Sequence, residues 1–409
     1  MACQHVHCAF SNADIRYQWR YDGFTKLLRI HGMKKKIILI TTSYPRAVDG
    51  SEAAGAFVRD FAQALAAKAQ VTVLAPGTDQ ESLTQDALTV IRYLAPDKPL
   101  SLLKPWNPLH WLPILRTLVS GKQALYEHLG SHPDTDHILA LWVLPSGAWA
   151  KQADAVFNIP YSTWALGSDI WTLGKIPVIS SMLRRVLNHS RHNFADGLQL
   201  CDDVERLSGK ACSFLPSTRE FSTGSDTGAH PTGGLKLAFL GRWHPNKGAD
   251  MLITALSLLD EEDWQHIDEV RIFGGGPLQD RITRGVRTLR EAGRPVSLGG
   301  YLDRDGAQAL FSWCDYVLIP SRIESIPVVF SDAMKAGRPI ITTPVGDLGR
   351  LVNKYHCGLV TNDASAEEFA RVLRLARNTP LANYKPGVEE AARDFSLPVI
   401  VDTFLAAID

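Results

Sequence analysis

Residues 320–344, PSRIESIPVVFSDAMKAGRPIITTP, decide the reading of this chain. They predict a strand end, a sharp loop, a helix, a glycine stop and a second strand. Pro327 suits the first helical position, where its missing N–H would be unpaired in any case. Gly337 ends the helix and Pro339 prevents its return. The free N–H groups of that first turn, with the helix dipole behind them, form an anion site. Two acids frame it, Glu324 in the loop and Asp332 eight residues on. A carboxylate at the mouth of an anion site suits a ligand that brings hydroxyls as well as phosphate, as a sugar nucleotide does. The plain alternative is an ordinary helix capped by Ser325, with Asp332 in solvent.

Outward from this stretch, the preceding residues repeat a strand-then-helix pattern. A strand at 235–240 ends at Gly241-Arg242, and Lys247-Gly248 opens the next helix. Two cations beside a helix N-terminus suit a diphosphate; two surface cations at a strand end are the blander reading. A strand at 270–273 runs into Gly274-Gly275-Gly276-Pro277, where glycines let the backbone turn tightly and approach a ligand. A further strand ends at Gly299-Gly300-Tyr301. Asp303-Arg304-Asp305 reads as a helix start, because helical periodicity follows in 306–314.

The first half alternates in the same way. Strands are expected at 37–40, 70–76, 137–145 and 161–165, with a helix at 56–67. The opening strand–helix–strand unit predicts a parallel sheet with ligands at the strand C-termini. Residues 216–234, rich in Ser, Thr, Gly and Pro, form the best linker candidate. The expected organisation is a first domain at 33–215, a linker at 216–234, a second domain at 235–385 and a C-terminal helical segment at 386–409. Residues 1–32 lack the apolar run of a signal peptide. Met33, followed by three lysines and Ile37-Ile38-Leu39-Ile40, reads as the natural start, with the leader disordered or misassigned; a genuine short extension is the rival.

Composition bounds the function. A chain of 409 residues suits two domains, and 45% hydrophobic with 21% charged residues is ordinary for a globular protein. Lys+Arg and Asp+Glu balance at 43 each, so no global field favours nucleic acid. The six cysteines show no metal-ligand spacing and read as reduced thiols of a cytoplasmic protein. No apolar run reaches about 18 residues, the length needed to span a bilayer.

Taken in order, these motifs resemble the retaining glycosyltransferases of family four (glycosyl transferases group 1), over about residues 34–405. The resemblance implies the GT-B fold: two Rossmann-like doubly wound α/β domains facing a central cleft, with the last helix crossing back to the first. It implies a first domain that receives the acceptor and a second that binds the nucleotide sugar. Glu324 would lie against the transferred sugar, and Asp332, where the family usually has Glu, would bind the ribose. Arg242 and Lys247 would hold the donor diphosphate and stabilise the leaving group. Gly241, Gly274, Gly276, Pro277, Tyr301, Ser325, Ile326 and Pro327 would complete the donor site, Tyr301 either covering the base or packing structurally. Gly55 and Gly167-Ser168-Asp169 resemble the family's acceptor and phosphate loops. Leu141 and Leu166 stand where the family often has histidines.

The implied activity is metal-independent hexosyl transfer with retention, from a nucleoside diphosphate sugar to a glycan or lipid-linked acceptor, in polysaccharide or lipopolysaccharide synthesis. The nucleotide sugar is a substrate, and no cofactor or metal is expected. Residues 98–129 carry an apolar, aromatic face that either docks on the inner face of the cell membrane or packs within the protein. Basic residues at 181–191 are a weaker candidate for the same contact. Two readings remain beside transfer: a sugar-nucleotide epimerase, and an inactive nucleotide-sugar-binding scaffold. A dinucleotide dehydrogenase is disfavoured, since neither glycine loop gives a good GxGxxG with an acid about 20 residues on.

Overall fold

A computed structural model describes residues 34–45, 53–98, 100, 103, 107–221 and 233–409. The leader at 1–32, much of the loop at 43–55, Lys104, Trp106 and the later part of the expected linker lie outside the described residues.

The first sheet has eight strands in the order β3-β4-β2-β1-β5-β6-β7-β8. These are β1 (Lys36–Ile40), β2 (Gln70–Gly77), β3 (Ser82–Gln85), β4 (Leu88–Leu94), β5 (His137–Leu141), β6 (Tyr161–Ala165), β7 (Asn193–Ala195) and β8 (Cys212–Phe214). Every pairing is parallel except β3 with β4. β5 is buried at every position and β1 at all but Lys36, as expected of strands covered on both faces. Ile38 and Ile40 enter one core, Ile37 and Leu39 another, because side chains alternate across a sheet. The β3–β4 hairpin is absent from the sequence reading, since all of β3 is exposed and carries no apolar alternation. The strand expected at 137–145 stops at Leu141, because Trp142 takes a φ of 66° and turns the chain.

The second sheet is wholly parallel, in the order β11-β10-β9-β12-β13-β14. Its strands are β9 (Leu235–Arg242), β10 (Ile267–Gly275), β11 (Val296–Gly299), β12 (Tyr316–Ile319), β13 (Ile340–Thr342) and β14 (Gly358–Val360). This is the doubly wound order, and its switch point falls between β9 and β12. Ligands bind beyond the strand C-termini at such a point, where neighbouring loops part in opposite directions.

One boundary differs from the expectation. The C-terminal crossing falls at Ser396 rather than at 386. The Lys385–Asp394 helix stays with the second sheet, and Phe395 lies 5.1 Å from the Phe330 ring. Only the Leu397–Ile408 helix returns to the first sheet, where Phe404 meets Phe61 and Phe194 at 5.8 Å each. The described start of the linker packs against both lobes. Ser217, Thr218 and Phe221 are buried. Lys335 donates to the Arg219 carbonyl at 2.6 Å, and the Glu220 N–H donates to Asp60 at 2.9 Å, tying this segment to both lobes.

Candidate functional site

The site is built where β9 and β12 end. After β9 the chain makes a short turn, Pro245–Lys247, capped by His244, whose Nδ1 accepts from the Asn246 N–H at 3.3 Å. Gly248 follows with a φ of 69°, and a Cβ there would lie 1.7 Å from the Pro320 carbonyl oxygen. Only glycine permits this approach, which brings the turn onto the loop after β12. Arg322 fastens the two together, donating to the Pro245 carbonyl at 2.9 Å and to Asp250 at 2.8 Å. The Arg322 N–H donates to the Asn246 carbonyl at 2.7 Å. The result is that Lys247 is ion-paired with Glu324, the carboxylate largely shielded from solvent and the lysine half-buried. Arg242, the last residue of β9, is exposed and has no side-chain partner among the described residues.

Glu324 precedes the Val328–Lys335 helix. Pro327 is its N-cap, one position earlier than expected, and no side chain caps the first turn. The Phe330 N–H closes the turn onto the Pro327 carbonyl at 2.9 Å, and the amides before it have no partner within the helix, as at other helix N-termini. Ser325 Oγ is buried without a partner, and Ile326 is buried in the second core. Gly337, at a φ of 74°, ends the helix.

Beside this lies a cavity of about 410 Å³ lined by Trp243, Gly274, Gly275, Gly276, Gln279, Leu298, Gly299, Gly300 and Tyr301. A Cβ on Gly274 would lie 1.9 Å from the carbonyl oxygen of Gly241, its partner on the neighbouring strand. Tyr301 lies over Gly275, donates its hydroxyl to the Gly275 carbonyl at 2.8 Å, and is 73% exposed. It walls the cavity rather than filling a core. Pro277, just beyond, is exposed. Asp303 is the cap of the Arg304–Trp313 helix, accepting from the Gly306 N–H at 2.8 Å.

Three expected contact residues are engaged within the protein. Asp332 is fully buried, and Arg219 donates to its Oδ2 through Nε at 2.8 Å. Burial pushes its carboxyl up while the Arg219 guanidinium draws it back. It presents no exposed oxygen to a ribose, because the bound linker covers it. Asp169 is buried and accepts the backbone N–H groups of Val143, Leu166 and Ile170 at 2.8, 3.3 and 3.2 Å. That fixes the turn at Trp142, so Asp169 shapes the loop instead of meeting ligand. Gly55 accommodates its own loop, since a Cβ there would lie 2.8 Å from the Tyr44 Cα. Gly167 has a φ of 94°, which favours glycine, and Ser168 is exposed beside it. Leu141 is buried in the first lobe.

Sequence reasoning missed the groups that join the lobes. Asp347, wholly buried in the second lobe, accepts the Gln199 N–H at 3.1 Å and so caps the Leu198–Ser208 helix of the first. Gly197 makes room: a Cβ there would lie 2.2 Å from Ser325 Oγ and 2.9 Å from Asp347 Oδ2. Asp196 beside it is buried and pushed up to about 8, first by burial and then by the nearby Asp169 carboxylate. No spacing rule signals any of these, because each depends on where the other lobe lies. Among the described residues no helix is long and apolar enough to cross a membrane.

Residues 234–378 match the family of glycosyl transferases group 1. The chain is similar to a D-inositol 3-phosphate glycosyltransferase of Jonesia denitrificans, 31% identical over 157 residues, covering 34% of each chain. It is also similar to a glycogen synthase of Mycobacterium tuberculosis, 28% identical over 151 residues, covering 37% of this chain and 36% of that one. The matched region spans about a third of the length of these relatives. Among solved structures, sucrose-phosphate synthase from Thermosynechococcus elongatus superposes with a TM-score of 0.68 at 17% identity, over 91% of this chain and 98% of that one. Anabaena HepE in complex with UDP gives 0.66 at 15% identity, over 91% and 99%. At those identities the two structures speak for the fold alone. The doubly wound sheets and these superpositions give the chain the GT-B fold, and within it residues 234–378 carry the match to the glycosyl transferases group 1.

Proposed function

We propose that the protein transfers a hexosyl group, with retention and without a metal, from a nucleoside diphosphate sugar to a glycan or lipid-linked acceptor. The observation that carries this reading is the Lys247–Glu324 pair, set at the sheet's switch point beside an uncapped helix N-terminus. Arg242, Lys247 and the amides at 326–328 supply the positive field for a departing diphosphate. Glu324 orients a sugar hydroxyl, and the acceptor attacks from the face that the diphosphate leaves. The cavity at Gly274–Gly276 and Tyr301 takes the nucleoside, and Gly241 gives the backbone room beside it. The region around Gly55, Gly167 and Ser168 faces the acceptor.

Leu109, Leu112, Leu115 and Val119 are exposed, with Arg116 and Lys122 nearby, and support peripheral contact with the inner face of the cell membrane. The reading thus puts the protein in the cytoplasm and in cell-surface polysaccharide or lipopolysaccharide synthesis. The names of the relatives and neighbours also favour soluble phosphorylated acceptors as a second class to screen. The sealed Asp332 favours one rival, a nucleotide-sugar-binding protein without transfer.

The test begins with melting curves of the full chain in UDP, GDP, ADP and TDP. A ligand at about 100 times its Kd stabilises by about 2.7 kcal/mol, a shift of a few degrees. One diphosphate is expected to raise the melting temperature, and Arg242→Ala to abolish the rise. With the matching sugar nucleotide and EDTA, Glu324→Gln is expected to keep nucleotide binding and lose turnover by about 10²–10³-fold. Full turnover in that variant removes Glu324 from the mechanism. Binding without turnover for any acceptor favours the scaffold, and release of epimerised donor favours the epimerase.

A further inference from the structure

Two buried polar atoms without partners lie on either side of the seam between the lobes. Asp196 Oδ1 belongs to the first lobe and Ser325 Oγ to the second. Asp196 stands directly after β7, at the C-terminal edge of the first sheet, where the loops from β6 and β8 flank it. Its N–H donates to the Ala165 carbonyl at 3.2 Å, and its Oδ2 accepts from Ser217 Oγ at 3.3 Å. The next residue, Gly197, lies so close to Ser325 that a Cβ would meet its Oγ at 2.2 Å. Ser325 in turn follows Glu324, the acid assigned above to the transferred sugar.

A buried oxygen left without a hydrogen bond loses its hydration with nothing in return. Native proteins keep few such groups, and those they keep commonly serve a ligand or a water. Here two occur together, from opposite lobes, beside the acid of the donor loop. A single hydroxyl placed between them can accept from one and donate to the other.

We propose that Asp196 and Ser325 together hold one hydroxyl of the transferred glycosyl group, so that Asp196 is a specificity-determining residue contributed by the first lobe. This inference rests on the nucleotide-sugar reading given above. It gives the first lobe a direct part in choosing the donor, which is otherwise bound by the second. A site shared between lobes also makes sugar recognition depend on closure, since neither half offers both groups.

The neighbours of Asp196 set its state. Asp169 faces it from the loop after β6 and Glu324 from the second lobe, while Asp347 touches the adjoining Gly197 and Lys247 neutralises Glu324. Crowded by acids and buried, its carboxyl keeps its proton at neutral pH and acts as a donor.

The experiment compares wild type, Asp196→Ala, Asp196→Asn and Ser325→Ala by calorimetry. The probes are UDP, GDP, ADP and TDP, each paired with its glucose and galactose or mannose derivatives. Asp196→Ala is expected to leave the affinity for the bare diphosphate within about twofold. It is also expected to lower by at least about tenfold the preference among epimeric sugars. Ser325→Ala should reproduce the loss from the other lobe, and melting curves identify any variant that fails to fold. In wild type the preference should weaken above pH 8, and in Asp196→Asn it should not. The inference is overturned if wild type binds a diphosphate but shows no sugar-dependent increment, or if Asp196→Ala and Ser325→Ala keep the wild-type epimer preference, as they would were the seam to hold only a water. If wild type binds no nucleoside diphosphate at all, the underlying reading fails, and the inference with it.

Discussion

Asp332 and Asp196 show how differently two aspartates behave once their surroundings are fixed. The family resemblance made Asp332 a candidate for the ribose, yet the bound linker brings Arg219 onto it. Asp196 carries no motif, yet burial and the nearby Asp169 carboxylate push it up to about 8. The unfolded chain gives an aspartate a value of about 3.9. The folded state therefore retains a proton that the unfolded state has lost between those limits. Its stabilising contribution is complete below about pH 4 and is lost as pH rises through 8. Asp196→Asn removes the ionisation and keeps the shape. Its melting temperature should match wild type near pH 4 and exceed it by a few degrees at pH 9. Equal melting at both values would show that Asp196 ionises normally. The legible residues here were those whose role is local: Asp303 as a helix cap and Gly337 as a helix stop.

At the scale of elements, the sequence located β1, β6 and the helix after Glu324 well, because each is a compact apolar run with clear stops. It missed β3, β7, β8 and β14, which are three or four residues long and draw their pairing from neighbours, and also the seven-residue β4. The two glycine approaches are decisive for the site. Gly248 holds the Lys247 turn against Pro320, and nothing larger fits. Gly248→Ala should cost on the order of 2–4 kcal/mol and weaken diphosphate binding, since strain and overpacking act together. Gly293 has a comparable φ of 78° but open space around it, so Gly293→Ala should cost only about 1 kcal/mol. Urea unfolding of both variants checks the contrast. Equal costs would mean that the contact with Pro320 is unimportant.

Across the whole molecule, the chain closes on itself through its last helix. Leu397, Ile400, Val401, Phe404 and Ile408 are all buried against the first sheet. At about 1.5–3 kcal/mol for each buried apolar side chain, their loss is comparable with the full stability of a domain. A chain ending at Ser396 should therefore lose hydrogen-exchange protection in β1 and β5 while keeping it in β9 and β12. Retained protection in β1 would show that the first lobe stands without this helix. The sequence by itself determined the doubly wound halves, the glycine and cation loops of the second, and the place of Glu324 before a helix. Each of these is written in local periodicity, turn chemistry and short-range spacing. Only the tertiary structure decided which acids stay accessible, which are covered, and how the lobes meet at Gly197, Ser325 and Asp347. Those outcomes depend on burial and on partners more than a hundred residues away, as with Gln199 and Asp347, which no local pattern encodes.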